Sequence, residues 1–139
     1  MTGLMLVDTS AWHRSGHASV ADTWSERLGA DELAICPQVR LEILYSARNA
    51  GDYDAIVSEL DGLHQISTSD EAFQRALDVQ QMLAHVGGLH HRSVKIADLL
   101  IAASAELAGA IVWHYDEDFD RVEAVTGQPT QWVAQRGSL

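Results

Sequence analysis

The sequence predicts an α/β protein, a parallel β-sheet flanked by α-helices on both faces. Two observations predict it. Short apolar runs alternate with segments of helical periodicity, and strands separated by helices run parallel with both sheet faces covered. One segment, the helix from Ser93 to Ala108, is apolar nearly all round, which marks it as central and buried.

Each element has a local cause. Leu4 to Val7 is a short apolar run bounded by polar residues and reads as a buried strand. Ser19-Val20-Ala21-Asp22 has the form of a capping box with Asp in place of Glu; Val20, Trp24 and Leu28 then follow at helical spacing, and Gly29 ends the helix. Leu33 to Cys36 is a second short strand. Pro37 suits the first turn of a helix that runs to about Ala50, before Gly51. Asp52 to Leu60 is a further helix, and Leu63 to Ile66 a weak strand. Thr68 and Glu71 form a capping box for a helix to about Val86, stopped by Gly87-Gly88. Ser93 caps the helix that ends near Gly109. Ala110 to Trp113 is a strand, Phe119 to Val125 a short helix, and Thr130 to Val133 the last strand.

A chain of 139 residues suits one domain, spanning 1–139, with one sizeable core. No apolar stretch reaches the roughly 18 residues of a membrane span. The run before Asp8 is too short for a signal peptide and lacks its charged start. A single cysteine, Cys36, excludes an internal disulfide and any multi-cysteine zinc site, so cytoplasmic residence is expected. Cys36 itself is expected to be a small buried hydrophobe. The formal charge of −11 disfavours long-range attraction to nucleic acid, which is itself a polyanion. It favours cationic partners: metal ions or a basic protein.

Four acids stand at or beside apolar segments, where a lone carboxylate is costly. Asp8 ends Leu4-Met5-Leu6-Val7. Glu42 lies within Val39 to Leu44. Asp98 interrupts Lys95 to Ala103. Asp116 closely follows the strand Ala110 to Trp113. Few Lys or Arg residues flank these four, which makes a divalent cation the natural partner. Carboxylates without Cys or His point to a hard ion, Mg²⁺ or Mn²⁺. Singly, each acid has an ordinary alternative. Asp8 suits a turn or cap, Glu42 an exposed helix face, Asp98 a salt bridge with Lys95, and Asp116 to Asp120 an acidic helix start favoured by the dipole. Their combination points to a site, placed where ligands bind in open parallel sheets, beyond the carboxyl ends of the strands.

The segments Leu6-Val7-Asp8-Thr9-Ser10-Ala11-Trp12, Arg40-Leu41-Glu42-Ile43-Leu44, Ile96-Ala97-Asp98-Leu99-Leu100-Ile101-Ala102-Ala103 and His114-Tyr115-Asp116-Glu117-Asp118-Phe119-Asp120 resemble the four motifs of PIN-domain nucleases, in order and at family-like spacing. The Asp-Thr-Ser-Ala-Trp start and the length resemble the VapC branch, toxins of bacterial toxin–antitoxin pairs. The resemblance implies a PIN-like parallel sheet and a Mg²⁺- or Mn²⁺-dependent endoribonuclease. Asp8, Glu42, Asp98 and Asp116 would hold the metal and carry catalysis. Asp118 would be an auxiliary acid, and Ser10 a hydrogen-bonding group behind the ligands. It also implies a cognate antitoxin with a basic or Arg-bearing tail, and a homodimer. Arg92, Lys95 and His114 are candidate RNA contacts. His114 departs from the Thr or Ser common in the family two residues before the fourth acid, and Glu117 stands where relatives often have a basic residue. The negative charge leaves RNA binding to local contacts, which predicts cutting of single-stranded or loop regions.

Rival functions fit less well. A receiver-type phosphoacceptor usually begins with an acidic pair and has a late Lys near its site; this chain has one acid at Asp8 and one lysine, Lys95. A phosphohydrolase with an Asp nucleophile wants a second Asp where Ser10 stands. The stronger alternative is a catalytically inactive PIN-like protein-interaction module.

Overall fold

The structure, a computed structural model, describes residues 3–139. Five strands, β1 (Met5–Val7), β2 (Leu33–Ile35), β3 (His64–Gln65), β4 (Ile111–His114) and β5 (Thr130–Trp132), form one sheet in the order β3-β2-β1-β4-β5. Every pairing is parallel. Leu6 is opposite Ala34 on one side and Val112 on the other. Parallel pairing requires long crossovers, and these are the helices. They are α1 (Thr9–Trp12), α2 (Ala21–Gly29), α3 (Pro37–Tyr45), α4 (Ala50–Asp61), α5 (Asp70–Val86), α6 (Ile96–Ala108) and α7 (Asp118–Thr126), with a 3-10 turn at His90–Arg92.

Successive side chains of a strand point to opposite faces. Leu6 and Val112 enter a core built with Val39, Ile43, Val79, Leu83, Ile101 and Phe119, from α3, α5, α6 and α7. Met5, Val7 and Trp113 enter a second core with Ala11 and Val20, against which Trp12 and Trp24 pack. Trp24 stacks on Trp113 at 5.4 Å and meets Trp12 edge-on at 6.0 Å. Trp12 is therefore a packing residue. Cys36 is fully buried, as a small apolar residue would be. In α6 the run Asp98 to Ala105 is buried throughout.

The expected elements occur in the expected order, with α1 and the 3-10 turn in addition, and several boundaries differ, for local reasons. The helix expected from Pro37 to Ala50 ends at Tyr45, because Asn49 caps a new helix by accepting the amide of Asp52 at 2.8 Å. Ser19 does not cap α2, whose first residue is preceded by Val20 with no side-chain cap. Ser69, not Thr68, caps α5, and the Thr68 hydroxyl instead meets Ser104 Oγ at 2.8 Å. Ser93 closes the 3-10 turn, and Lys95 precedes α6 without capping it.

Connections leave β1 toward β2 on one side and β4 toward β5 on the other. The order therefore reverses between β1 and β4, and a crevice opens beyond their carboxyl ends. The backbone there is continuous with the sheet: Asp8 N donates to Trp113 O at 2.9 Å.

Candidate metal centre

Asp8 follows β1 directly and serves as the N-cap of α1, its Oδ2 accepting the Ser10 amide at 3.0 Å. Ser10 Oγ donates to the same oxygen at 2.5 Å and accepts Tyr115 N from the end of β4 at 2.8 Å. Asp8 is nearly fully buried, and burial holds its carboxyl above the usual range; the Ser10 hydrogen bonds oppose this, and the charges of Glu42 and Asp116 add to it.

Asp116 lies two residues past β4. Its amide donates to His114 Nδ1 at 3.1 Å, and its Oδ1 accepts Asp118 N at 2.9 Å. Asp98 enters from the first turn of α6. Burial, a hydrogen bond shared with Asp118 and the nearby Asp8 charge push its carboxyl up to about 8. Asp118, the first residue of α7, moves the other way. Burial alone would raise it, but it accepts hydrogen bonds from Asp98 and from the Lys95 amide and ammonium, which hold it low. Within the pair, Asp98 holds the proton and Asp118 the charge.

Oxygens of Asp98, Asp116 and Asp118 come within 4.8 Å of one another. Asp8 and Glu42 stand outside this tightest group; the Asp8 charge acts on Asp98, and those of Glu42 and Asp116 act on Asp8. Glu42, on α3, is half-buried. Its Oε1 accepts the Thr9 hydroxyl at 2.5 Å and its Oε2 accepts Gln38 Nε2 at 3.3 Å. Thr9 thus links α3 to the start of α1. Neither Thr9 nor Gln38 stood out in the sequence; a polar residue beside Asp8 carries no mark of a partner 33 positions away.

The sequence contained few basic residues beside the acids, yet the fold brings two of them in. Lys95 Nζ lies 2.8 Å from Asp116, 2.9 Å from Asp118 and 3.3 Å from Asp98. Arg121 donates to Asp118 Oδ1 at 3.0 Å and to Glu117 Oε1 at 3.0 Å. The expectation of an unpaired acidic cluster is corrected accordingly. Lys95, a candidate RNA contact, points its ammonium into the carboxylates, and its pairing with Asp98 is the ordinary alternative the sequence offered. Arg92 remains exposed in the 3-10 turn.

His114, a candidate RNA contact, lies inside the protein. It is fully buried, with its ring 5.0 Å from both Phe119 and Trp132. Nδ1 accepts the Asp116 amide, so Nε2 carries the hydrogen, and it has no partner among the described residues. Burial lowers its pKa to about 4, so the ring is neutral. His114 therefore acts on Asp116 through its backbone.

The donor set is oxygen only, which matches a hard divalent ion. An ammonium already held by three carboxylates shows that the cluster accommodates a cation.

Comparison with known proteins places the chain in a family. The model of the PIN domain matches residues 5–125. Ribonuclease VapC18 of Mycobacterium tuberculosis is 63% identical over 133 residues, covering 96% of this chain and 97% of its own. Ribonuclease VapC21 of the same species is 39% identical over 139 residues, with 99% of each chain covered. Among solved structures, a chain of DNA-bound VapBC from Salmonella typhimurium superposes with a TM-score of 0.76 at 15% identity, over 96% of this chain and 100% of that one. VapBC-5 from M. tuberculosis gives 0.59 at 23% identity, over 94% and 97%. At such identities the structural likeness speaks for the fold. The family model spans most of the chain and the first of these relatives shares nearly two thirds of its residues: the chain belongs to the PIN domain family, in its VapC branch.

Proposed function

We propose that this chain is a metal-dependent endoribonuclease toxin, one PIN domain over 1–139, neutralised by a cognate antitoxin. The convergence of Asp98, Asp116 and Asp118 beyond the β1 and β4 ends carries the proposal, in a chain whose close relatives are named ribonucleases. Asp8, Glu42, Asp98 and Asp116 would hold Mg²⁺ or Mn²⁺. When bound, such an ion neutralises the phosphodiester oxygens under attack and eases proton loss from water. The chain's own contribution is placement. Ser10 fixes Asp8 against the end of β4, Thr9 and Gln38 orient Glu42, and His114 holds the backbone of Asp116. Asp118 assists as the auxiliary acid next to Asp98.

The substrate is RNA, cut in unpaired or loop regions. A protein of net charge −11 does not hold a duplex by backbone attraction, and unpaired bases offer edges and faces to read. The partner is an antitoxin whose tail brings an Arg to the carboxylates, where a guanidinium forms a bidentate pair. The solved neighbours VapBC and VapBC-5 are themselves toxin–antitoxin proteins, which supports a partner of this kind. A homodimer belongs to the same proposal, supported by the exposed apolar side chains Phe73, Leu77 and Ile96 beside α5 and α6. So does a cytoplasmic location; no helix among the described residues is long and apolar enough to cross a membrane.

The test is calorimetric titration with Mn²⁺ and Mg²⁺, followed by RNA incubation with and without chelator and mapping of the new ends. Binding, chelator-sensitive cleavage, and growth arrest relieved by the adjacent upstream gene product are expected. Normal growth and uncut RNA under verified soluble expression would favour the inactive interaction module.

A further inference from the structure

Lys95 is the only lysine in the chain, and its ammonium contacts the three carboxylates that converge most closely. We infer that Lys95 is a tethered cation that competes with the divalent metal for Asp98, Asp116 and Asp118, and must leave before the metal is fully bound. The inference rests on the metal-dependent reading above and adds to it a built-in regulator of metal affinity.

The argument is geometric. Asp118 Oδ2 accepts both the Lys95 amide at 3.1 Å and its ammonium at 2.9 Å. The backbone bond fixes where the side chain starts, just before α6; the side chain then folds back over the first turn to reach Asp98 and Asp116. Oδ2 of Asp98, Asp116 and Asp118 all face Nζ, so the ammonium holds one oxygen of each of the three carboxyl groups that converge as candidate ligands. A monovalent ammonium and a divalent ion in one oxygen cluster repel strongly at such distances. The Lys95 side chain is 64% exposed, so its ammonium can turn into water without disturbing the core. Asp98 and Asp118, at 7% and 6%, cannot follow it. The exchange therefore moves one surface side chain and leaves the ligands in place.

Occupancy by Lys95 reduces the fraction of molecules open to metal, and the apparent affinity falls by that fraction. It also neutralises part of the acidic cluster before metal arrives, so the metal-free fold gains from it.

The experiment measures Mn²⁺ dissociation constants by calorimetry, and melting midpoints with and without Mn²⁺, for wild type, Lys95→Met and Arg92→Met. Arg92→Met removes the same charge from an exposed neighbouring turn without touching the carboxylates, so it reports the long-range effect alone. Lys95→Met should bind Mn²⁺ roughly three- to tenfold more tightly than Arg92→Met, a range in line with loss of a partly exposed ion-pair network. It should also melt lower than wild type without metal and gain more on adding it. Lys95→Gln, neutral and still polar, replaces the Met variant should that one not fold. Lys95→Arg should keep affinity near wild type. Equal or weaker Mn²⁺ binding in the neutral Lys95 variants, relative to Arg92→Met, overturns the inference while the metal site stands. Absence of Mn²⁺ binding in wild type and in every variant overturns the metal-dependent reading itself.

Discussion

Ser10 Oγ accepts the backbone N–H of Tyr115 at 2.8 Å, fastening the start of α1 to the end of β4 across 105 residues of sequence. The same hydroxyl donates to Asp8 Oδ2 at 2.5 Å, so one atom sets the spacing between the acids of the first and fourth motifs. Ser10→Ala leaves the Tyr115 amide without this partner and removes a bond that opposes the raised pKa of Asp8. A loss of about 1–3 kcal/mol of stability follows from deserting a part-buried donor. Mn²⁺ binding should weaken with it, and Ser10→Thr should restore both in part. Urea melts and calorimetry check this; a Ser10→Ala protein with unchanged midpoint and affinity would show that the hydroxyl is incidental.

Asp98 makes stability and metal affinity depend on pH. Its folded pKa is raised to about 8, above the value of 3.8 for a free carboxyl, so its contribution is full at low pH and is lost as pH rises toward 8. His114 acts in the opposite sense. Its folded pKa is lowered to about 4 from 6.5, so it removes stability as pH falls below 6.5. The two overlap below pH 6.5, and the window from about 6.5 to 8 reports the carboxylates. There the metal-free wild type should lose stability with rising pH, and Asp98→Asn should flatten most of that slope. Mn²⁺ affinity should climb over the same window, because Asp98 must release its proton to bind. Calorimetry in two buffers of different ionisation enthalpy counts the proton. No proton release at pH 7 would mean that Asp98 is already ionised.

Much of this was legible in the residues, and the exceptions share a cause. An apolar strand that ends in Asp announces Asp8, and a carboxylate inside an apolar helix announces Asp98, because burial of an unpaired charge is costly whatever the fold. The alternation of runs announces the parallel sheet. The cap residues were less legible. Ser69 and Thr68 are chemically interchangeable as caps, and the choice went to Ser69 because Ser104 on α6 engages Thr68. Lys95 and Asp98 are three apart on one helix end, so their pairing was foreseeable. The arrival of Asp116 and Asp118 on the same ammonium depends on how β4 and α7 pack, which no local pattern encodes. The arrival of Arg121 at the cluster, through its contact with Asp118, depends on the same packing. Lys95 reaches these carboxylates from the start of α6.

His114 should remain neutral to unusually low pH. Its ring is sealed between Phe119 and Trp132, and protonation would place a charge in an apolar pocket. Its imidazole signals, followed by NMR, should titrate near pH 4. A midpoint near 6.5 would put the ring in water and reopen a role in RNA contact. His114→Ala should cost about 2–4 kcal/mol, from the cavity and the freed Asp116 amide together.

Arg14 is the cation to test for RNA. Among the described residues, seven of the nine Lys and Arg side chains lie in ion pairs; Arg14 and Arg92 do not. Arg14 donates to Ser10 O at 2.8 Å and lies over the Tyr115 ring at 4.3 Å, so it is held against the Ser10 turn without a carboxylate partner among the described residues. In a protein of net charge −11, an uncompensated guanidinium at the rim of the acidic cluster is the natural seat for a phosphate. Arg14→Ala, made in an Asp98→Asn background so that RNA is not cut, should weaken binding of a single-stranded RNA several-fold. The slope of log affinity against log salt should become shallower by about 0.7, the contribution of one phosphate contact on a single strand. Arg92→Ala should do the same more weakly, from its exposed turn. Arg48→Ala, which removes a charge already paired with Asp52, should change neither the affinity nor the slope. Filter binding across a salt series decides it: parallel lines for wild type and Arg14→Ala would show that Arg14 only braces the Ser10 turn.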